Sequence, residues 1–180
     1  MSLVTLRPLA LSDVDHMMTW VNDDEVVGNL AAFSGAPITR EQEVEYVERT
    51  LASTTDRVFV AERTADGAYL GNVGVHQIHW RSRVGRLAVV IAARQNHGKG
   101  YGSAAIARVL DWAFGEAKLH KIWLMVFREN HRALRTYGRL GFVEEGVLRE
   151  EYFHEDRWRD MVRMGMLDRE WPSEFGATLR

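Results

Sequence analysis

The stretch "HGKGYGSAA", His97 to Ala105, sets three glycines at alternate positions around one lysine and runs straight into small residues that open a helical pattern. Glycine lets main-chain N–H groups approach a ligand with no Cβ in the way and permits positive φ, so several amides can turn into one concavity. At a helix N-terminus the first-turn amides lack intrahelical partners and the macrodipole is positive, which suits the concavity to a phosphate group. The flanking sequence decides which phosphate compound, and with it the fold.

Upstream of the loop, "RVFVAER", "AYLGNVGVHQIHW" and "VGRLAVVIA" read as successive strands, the first two joined by the turn signal "ADG". Further back, "VTLRPL" reads as an opening strand, and a helix comes after it that is capped by Ser12 or Asp13 and runs to about Trp20. The segment "WVNDDEVVGNL" reads as an acidic loop. Thr39 begins the capping-box pattern "TREQ", after which Val44, Val47 and Leu51 form an apolar helical stripe and Glu41, Glu45 and Glu48 an acidic one.

Downstream, Ile106, Val109, Leu110, Ala113 and Ala117 keep helical spacing as far as Lys118. "KIWLMVF" is apolar on both alternating faces and predicts a central strand covered on both sides. A short helix from about Asn130 to Leu140 is stopped by Gly141, and "FVEEGVLREEYF" and "RWRDMVRMGML" predict a hairpin around "HED". The order is βα, α, βββ, α, β, α, ββ, in a single domain 1–180 whose core is 1–170 and whose last ten residues, 171–180, read as a tail.

Composition narrows the function classes. With 46% hydrophobic residues, 180 residues suffice for one well-packed core. A net charge of −2 and no long basic run argue against nucleic-acid binding. The absence of cysteine excludes disulfides, thiolate zinc sites and a cysteine nucleophile. No apolar run approaches membrane-spanning length and "MSLVTLRPL" lacks the apolar region of a signal peptide, so the expectation is a soluble cytoplasmic protein that does not engage a membrane.

Three phosphate-binding devices compete for the loop. A Walker loop needs Ser or Thr directly after its lysine and a glycine six residues before it, whereas Lys99 is followed by Gly100 and that upstream position is Ala93. A dinucleotide fingerprint needs G-x-G-x-x-G after a parallel βαβ unit, and both spacing and context fail. No carboxylate beside the loop offers itself for Mg²⁺, which disfavours a general nucleotide binder, and no metal site is expected. The third device is the pyrophosphate loop Q/R-x-x-G-x-G/A, set between a strand and a helix.

His97-Gly98-Lys99-Gly100-Tyr101-Gly102 resembles that loop as it occurs in the GNAT superfamily of acyl-CoA N-acetyltransferases, departing only at His97, where Gln or Arg is usual. "FRENHRALRTYGRLGF" is similar to the superfamily's N-x-x-(A/S)-x-x-x-Y-x-x-x-GF segment. Asn130, Ala133 or Leu134, and Tyr137 fall on one helical face. The resemblance spans essentially the whole chain. It implies an α/β (α+β) GNAT fold, with a mixed, mostly antiparallel central sheet of about seven strands flanked by helices.

It also implies acetyl-CoA as cofactor and transfer of the acetyl group to a primary amine by direct attack in a ternary complex. By resemblance the Val90 amide faces the oxyanion and backbone groups of Ile91 and Ala92 meet pantetheine. His97, Gly98, Lys99, Gly100, Tyr101, Gly102 and Ser103 cradle the diphosphate, Asn130 and Ala133 line the pantetheine arm, and Tyr137 stands near the sulfur as general acid. An alkyl ammonium of pKa ~10.4 is neutral in only about 1 part in 2,500 at pH 7, so a polyamine acceptor demands a base more than a protein N-terminus does. Candidates for that task are Glu25, His76, His79 and Glu151. His76 and His79, three apart in a strand, point to opposite faces and make no metal pair.

Within the superfamily the chain is most similar to the branch holding spermidine/diamine N-acetyltransferases and ribosomal-protein N-terminal acetyltransferases. Asp23, Asp24 and Glu25 offer acidic groups for a polyamine or small amine, the favoured acceptor, while Glu41, Glu45 and Glu48 read more readily as a solvated helix face. The alternatives are the N-terminal amine of a ribosomal protein, and a non-catalytic acyl-CoA-binding domain. Homodimerisation through the terminal hairpin or a strand edge accords with the family.

Overall fold

The computed structural model describes residues 2–28, 30, 36–154 and 156–172. Seven strands form one sheet in the order β1-β2-β3-β4-β5-β7-β6. They are β1 (Val4–Pro8), β2 (Arg57–Arg63), β3 (Tyr69–His79), β4 (Val84–Ile91), β5 (Lys121–Phe127), β6 (Val143–His154) and β7 (Arg157–Leu167). Every neighbouring pair is antiparallel except β4 and β5, because the chain leaves β4, crosses through a helix and returns alongside. The mixed, mostly antiparallel sheet is therefore present with the strand count read from the sequence.

Helices α4 (Tyr101–Leu110) and α5 (His131–Leu140) cover one face. Ala105, Ile106, Val109 and Leu110 of α4 bury against Leu70, Val73, Leu124 and Val126 of the sheet. The other face, over β2 to β4, carries α1 (Val14–Met17), α2 (Asp24–Val27) and α3 (Arg40–Ala52), which enclose a second cluster of Val14, Met17, Trp20, Val26, Val47 and Val60. The capping box at Thr39 forms as its sequence predicts: Gln42 N–H donates to Thr39 Oγ1 and Thr39 N–H to Gln42 Oε1. Val47 is fully buried whereas Leu51 is exposed, so the apolar stripe ends a turn early.

Five local readings change. "NDDEVV" contains the short α2, whose N-cap Asp23 accepts from Glu25 N–H at 2.9 Å. The first helix begins as a 3-10 turn, Leu11–Asp13, and its aspartate is buried rather than merely capping: Asp13 takes a two-pronged contact from the Arg7 guanidinium and the Ala10 N–H. The helix after the loop widens into a π segment at Asp111–Glu116, where Ala117 N–H reaches Trp112. Trp171, assigned to the tail, is buried and donates its indole N–H to Asp111, so the core extends through it; 173–180 and the middle residue of "HED", Glu155, lie outside the described residues. β5 buries Ile122, Leu124 and Val126 under the helices, but Lys121, Trp123 and Met125 on its opposite face are only half-covered. No helix among the described residues is long and apolar enough to cross a membrane.

Candidate active site

β4 pairs with β5 only from Val84 to Arg86, opposite Lys121 to Trp123, and beyond that the strands part. Its other edge stays in unbroken register with β3 from Arg86 to Ile91. Main-chain groups alternate sides along a strand, and Ala92 sends its N–H to Leu70 O at 2.8 Å. Val90, two residues back, therefore turns its N–H and C=O toward β3, while those of Val89 and Ile91 face the gap.

The strand assigned from the sequence is right and its phase is wrong. The Val90 amide and the Ala92 amide face β3, which corrects their assignment to oxyanion and pantetheine; Ile91 keeps its side and Val89 was missed. Counting back from the glycines crosses a 3-10 turn, Arg94–Asn96, and nothing in the sequence says how many residues such a turn takes up. Val90 still contributes to the cavity wall that this gap opens.

The glycine loop supplies the next wall. Gly98 and Gly100 have φ of 77° and 85°, the left-handed region, and Gly100 is the N-cap of α4 without any side-chain cap. The helical ladder begins only with Ala104 N–H on Gly100 O, so the amides from Gly100 to Ser103 have no intrahelical partner. Gly102 sits inside the helix and lines the cavity with His97. Lys99 is exposed, Tyr101 packs on the core, and Ser103 is half-buried in the first turn. The His97 imidazole Nε2 lies 2.9 Å from Ile91 O, so this side chain engages one of the gap-facing main-chain groups.

On α5, Asn130, Ala133 and Tyr137 share the face that lines the cavity, whereas Leu134 packs into the core. Asn130 is the N-cap: its Oδ1 accepts Ala133 N–H at 3.1 Å, leaving the amide NH₂ as its donor. Gly141, with φ of 100°, ends the helix in the left-handed cap expected. The Tyr137 ring packs edge-on against Phe142, and burial pushes its hydroxyl up to about 12. That hydroxyl stays protonated across the working pH range, as a proton donor must.

The far wall comes from α2 and the residues just past its end, with Glu25, Val26 and Leu30. Of the four carboxylates and imidazoles considered as bases, Glu25 alone lines the cavity. His76 pairs with Asp56 at 3.1 Å, and burial lowers its imidazole pKa. His79 accepts from Ser82 N–H, and Glu151 is exposed on β6. The left-handed Gln77 and a register shift interrupt strand alternation between the two histidines, which nonetheless have separate partners. Glu41, Glu45 and Glu48 are exposed on α3, away from the cavity wall. Sequence reasoning missed Arg94, which also lines the cavity and bonds Glu25, and Arg132 and Thr136 of α5; the last two were legible, since they directly precede Ala133 and Tyr137 and lie one turn apart on the edge of the same face.

The resulting space has a volume of about 520 Å³ and lies between a strand with gap-facing peptide groups, a helix N-terminus, a phenol and a carboxylate. The family described as acetyltransferase (GNAT) domain matches residues 4–143 of the chain. The spermidine N(1)-acetyltransferase of Vibrio cholerae is 32% identical over 167 residues, covering 92% of this chain and 94% of that protein. A crystal structure of the V. cholerae spermidine N-acetyltransferase with CoA and spermine superposes with a TM-score of 0.86 at 30% identity, over 93% of this chain and 97% of the other. A dodecameric structure of that enzyme gives a TM-score of 0.79 at 31% identity, over 92% and 94%.

Proposed function

The chain belongs to the acetyltransferase (GNAT) domain family, and from that premise we propose that it acetylates a polyamine with acetyl-CoA as donor at the cavity between β4 and β5. The observation that carries this reading is the parting of those strands, which leaves the main-chain groups of Val89 and Ile91 facing the same cavity as Tyr137 and Glu25. The V. cholerae spermidine N-acetyltransferase in complex with CoA and spermine supports the choice of acceptor.

The residues present fit the donor. Two left-handed glycines and the unpaired first-turn amides of α4 suit the diphosphate. The gap-facing groups of Ile91 and the Asn130 amide suit the pantetheine arm. When bound, acetyl-CoA supplies a thioester carbon open to attack. The Val89 N–H then stands to donate to the oxyanion that develops as the amine adds, where a preorganised donor acts most strongly. Tyr137 stands to protonate the departing thiolate. Glu25, an acceptor of N–H bonds at the other end of the cavity, fits a cationic nitrogen of the acceptor.

A self-assembly of this chain is supported by the dodecameric structure of the V. cholerae relative. The β6–β7 hairpin forms the end of the sheet and exposes Phe153 and Trp158, stacked edge-to-face at 5.3 Å, as a surface for a second copy. A cytoplasmic location accords with acetyl-CoA as donor.

The test is thiol release from acetyl-CoA with a panel of spermidine, spermine, small diamines, aminoglycosides, free amino acids and N-terminal peptides at several pH values. Saturation by the polyamines alone is the expected result. Saturation by a peptide N-terminus would move the assignment to the N-terminal branch, and binding of acetyl-CoA without thiol release in the presence of any of these amines would make the chain an acyl-CoA-binding domain.

A further inference from the structure

Glu25 and Arg94 lie 69 positions apart in sequence and meet across the cavity, Arg94 Nη1 to Glu25 Oε1, at 2.6 Å. Glu25 belongs to α2 on the acceptor wall, and Arg94 to the 3-10 turn between β4 and the glycine loop. Both line the cavity, and among the described residues Glu25 is the one carboxylate that does. Neither side chain has a second hydrogen-bond or ion-pair partner among the described residues. They are 60% and 72% exposed, so the pair is of the weak, solvent-screened kind that another cation can exchange.

We propose that Arg94 is a specificity-determining residue, a resident cation that a polyamine acceptor displaces from Glu25 with its second charged nitrogen; this rests on the reading that the cavity takes a polyamine. A guanidinium tethered a few residues from the donor site competes as an intramolecular ligand, at high effective concentration. An acceptor with a single nitrogen must present that nitrogen uncharged to attack, and so brings nothing to take Glu25 from Arg94. An acceptor with a second, charged nitrogen displaces the guanidinium with it and presents the first. Arg94 thereby sets how strongly Glu25 holds the acceptor's second positive charge, which must compete with the guanidinium for the carboxylate.

The experiment is steady-state acetylation of spermidine and of a monoamine by the wild type and by Arg94→Gln, Glu25→Gln and the double variant, with direct calorimetric titration of spermidine. Arg94→Gln is expected to lower the spermidine KM about three- to fivefold, the scale of an exposed ion pair, with little change in kcat, in the acetyl-CoA KM or in the monoamine KM. That gain should vanish in the Glu25→Gln background and shrink as salt rises. An unchanged or raised spermidine KM overturns the proposal, as does the same gain without Glu25, or an effect confined to the acetyl-CoA KM. If the wild type neither acetylates nor binds spermidine, the polyamine reading itself falls and takes this one with it, an outcome distinct from wild-type turnover that is indifferent to Arg94.

Discussion

Gly71 of β3 lies so close to β4 that a Cβ at position 71 would stand 2.0 Å from the carbonyl oxygen of Val90 and 2.9 Å from its carbonyl carbon. With φ at 145°, the glycine also holds a backbone shape that other residues rarely take. The peptide plane it touches adjoins the Ile91 N–H that faces the gap. Gly71→Ala must push β4 toward the cavity or break the pairing there, so it is expected to raise the acetyl-CoA KM at least tenfold and to destabilise the fold by about 2–3 kcal/mol. Thermal denaturation and steady-state kinetics on the one variant check both halves.

Tyr137→Phe keeps the ring packed on Phe142 and removes only the hydroxyl. Loss of a general acid costs on the order of 10²–10⁴ in rate, so kcat should fall by that range while acetyl-CoA binding, read by calorimetry, stays within about twofold. The pH profile gives a second reading. Because burial holds the phenol near 12, the wild-type rate should climb from pH 7 to 9 as the acceptor amine loses its proton, with no falling limb in that interval from Tyr137. A wild-type rate that falls between pH 7 and 9 would assign the proton donor to a more acidic group.

Features written in local patterns were legible in the sequence, and features made by the meeting of distant segments were not. The order of the strands and of the longer helices, the Thr39 box, the Gly141 cap and the Asn130–Ala133–Tyr137 face are local, and all are present, whereas the single-turn α2 was read as loop. The phase of β4 is not local: whether Val89 or Val90 faces the gap depends on which side β3 pairs, and both residues are valines. Arg94 escaped for the same reason, since its partner Glu25 is brought near only by the fold. Asp13 looked like an N-cap, yet the N-cap is Ala10 and Asp13 accepts the Ala10 N–H from the third position, while its burial against Arg7 depends on β1, a strand that its own helix does not reveal.

Two buried carboxylates on the α1–α3 side have opposite pH signatures. The Arg7 guanidinium, aided by the Ala10 N–H, holds Asp13 below its ordinary value, whereas burial raises Glu43, 4% exposed and without a hydrogen bond to its carboxylate among the described residues. A lowered carboxylate pKa contributes stability that is full above the unfolded value near 3.8 and lost as pH falls through the folded one. A raised one works in reverse, removing stability as pH rises past 4.5. Asp13→Asn should cost about 2 kcal/mol at pH 7 and much less below pH 3, and Glu43→Gln should gain on the order of 1 kcal/mol at pH 7 and nothing near pH 4. Urea titrations of both variants at three pH values separate the two signs.

Gly100 and Gly102 make the last contrast, since the two glycines serve different ends. Gly100 holds φ at 85° as the N-cap, and a Cβ there would meet only Leu3 at an ordinary 3.6 Å, so Gly100→Ala suffers from backbone shape alone, by roughly 1–2 kcal/mol. Gly102 is helical, has ordinary φ, and would place a Cβ 3.5 Å from Ile91 Cγ1, again without a clash. In a helix, alanine is favoured over glycine by up to about 1 kcal/mol, so Gly102→Ala should hold or raise the melting temperature. Yet that methyl would enter the cavity between the first-turn amides and the gap-facing strand, where the donor has to approach the backbone closely. The expected result is an acetyl-CoA KM several times higher in a protein that is no less stable, whereas Gly100→Ala loses both affinity and stability. Equal affinity in Gly102→Ala would mean that the bare backbone at this position serves the fold and not the ligand, and would remove the first turn of α4 from the diphosphate site.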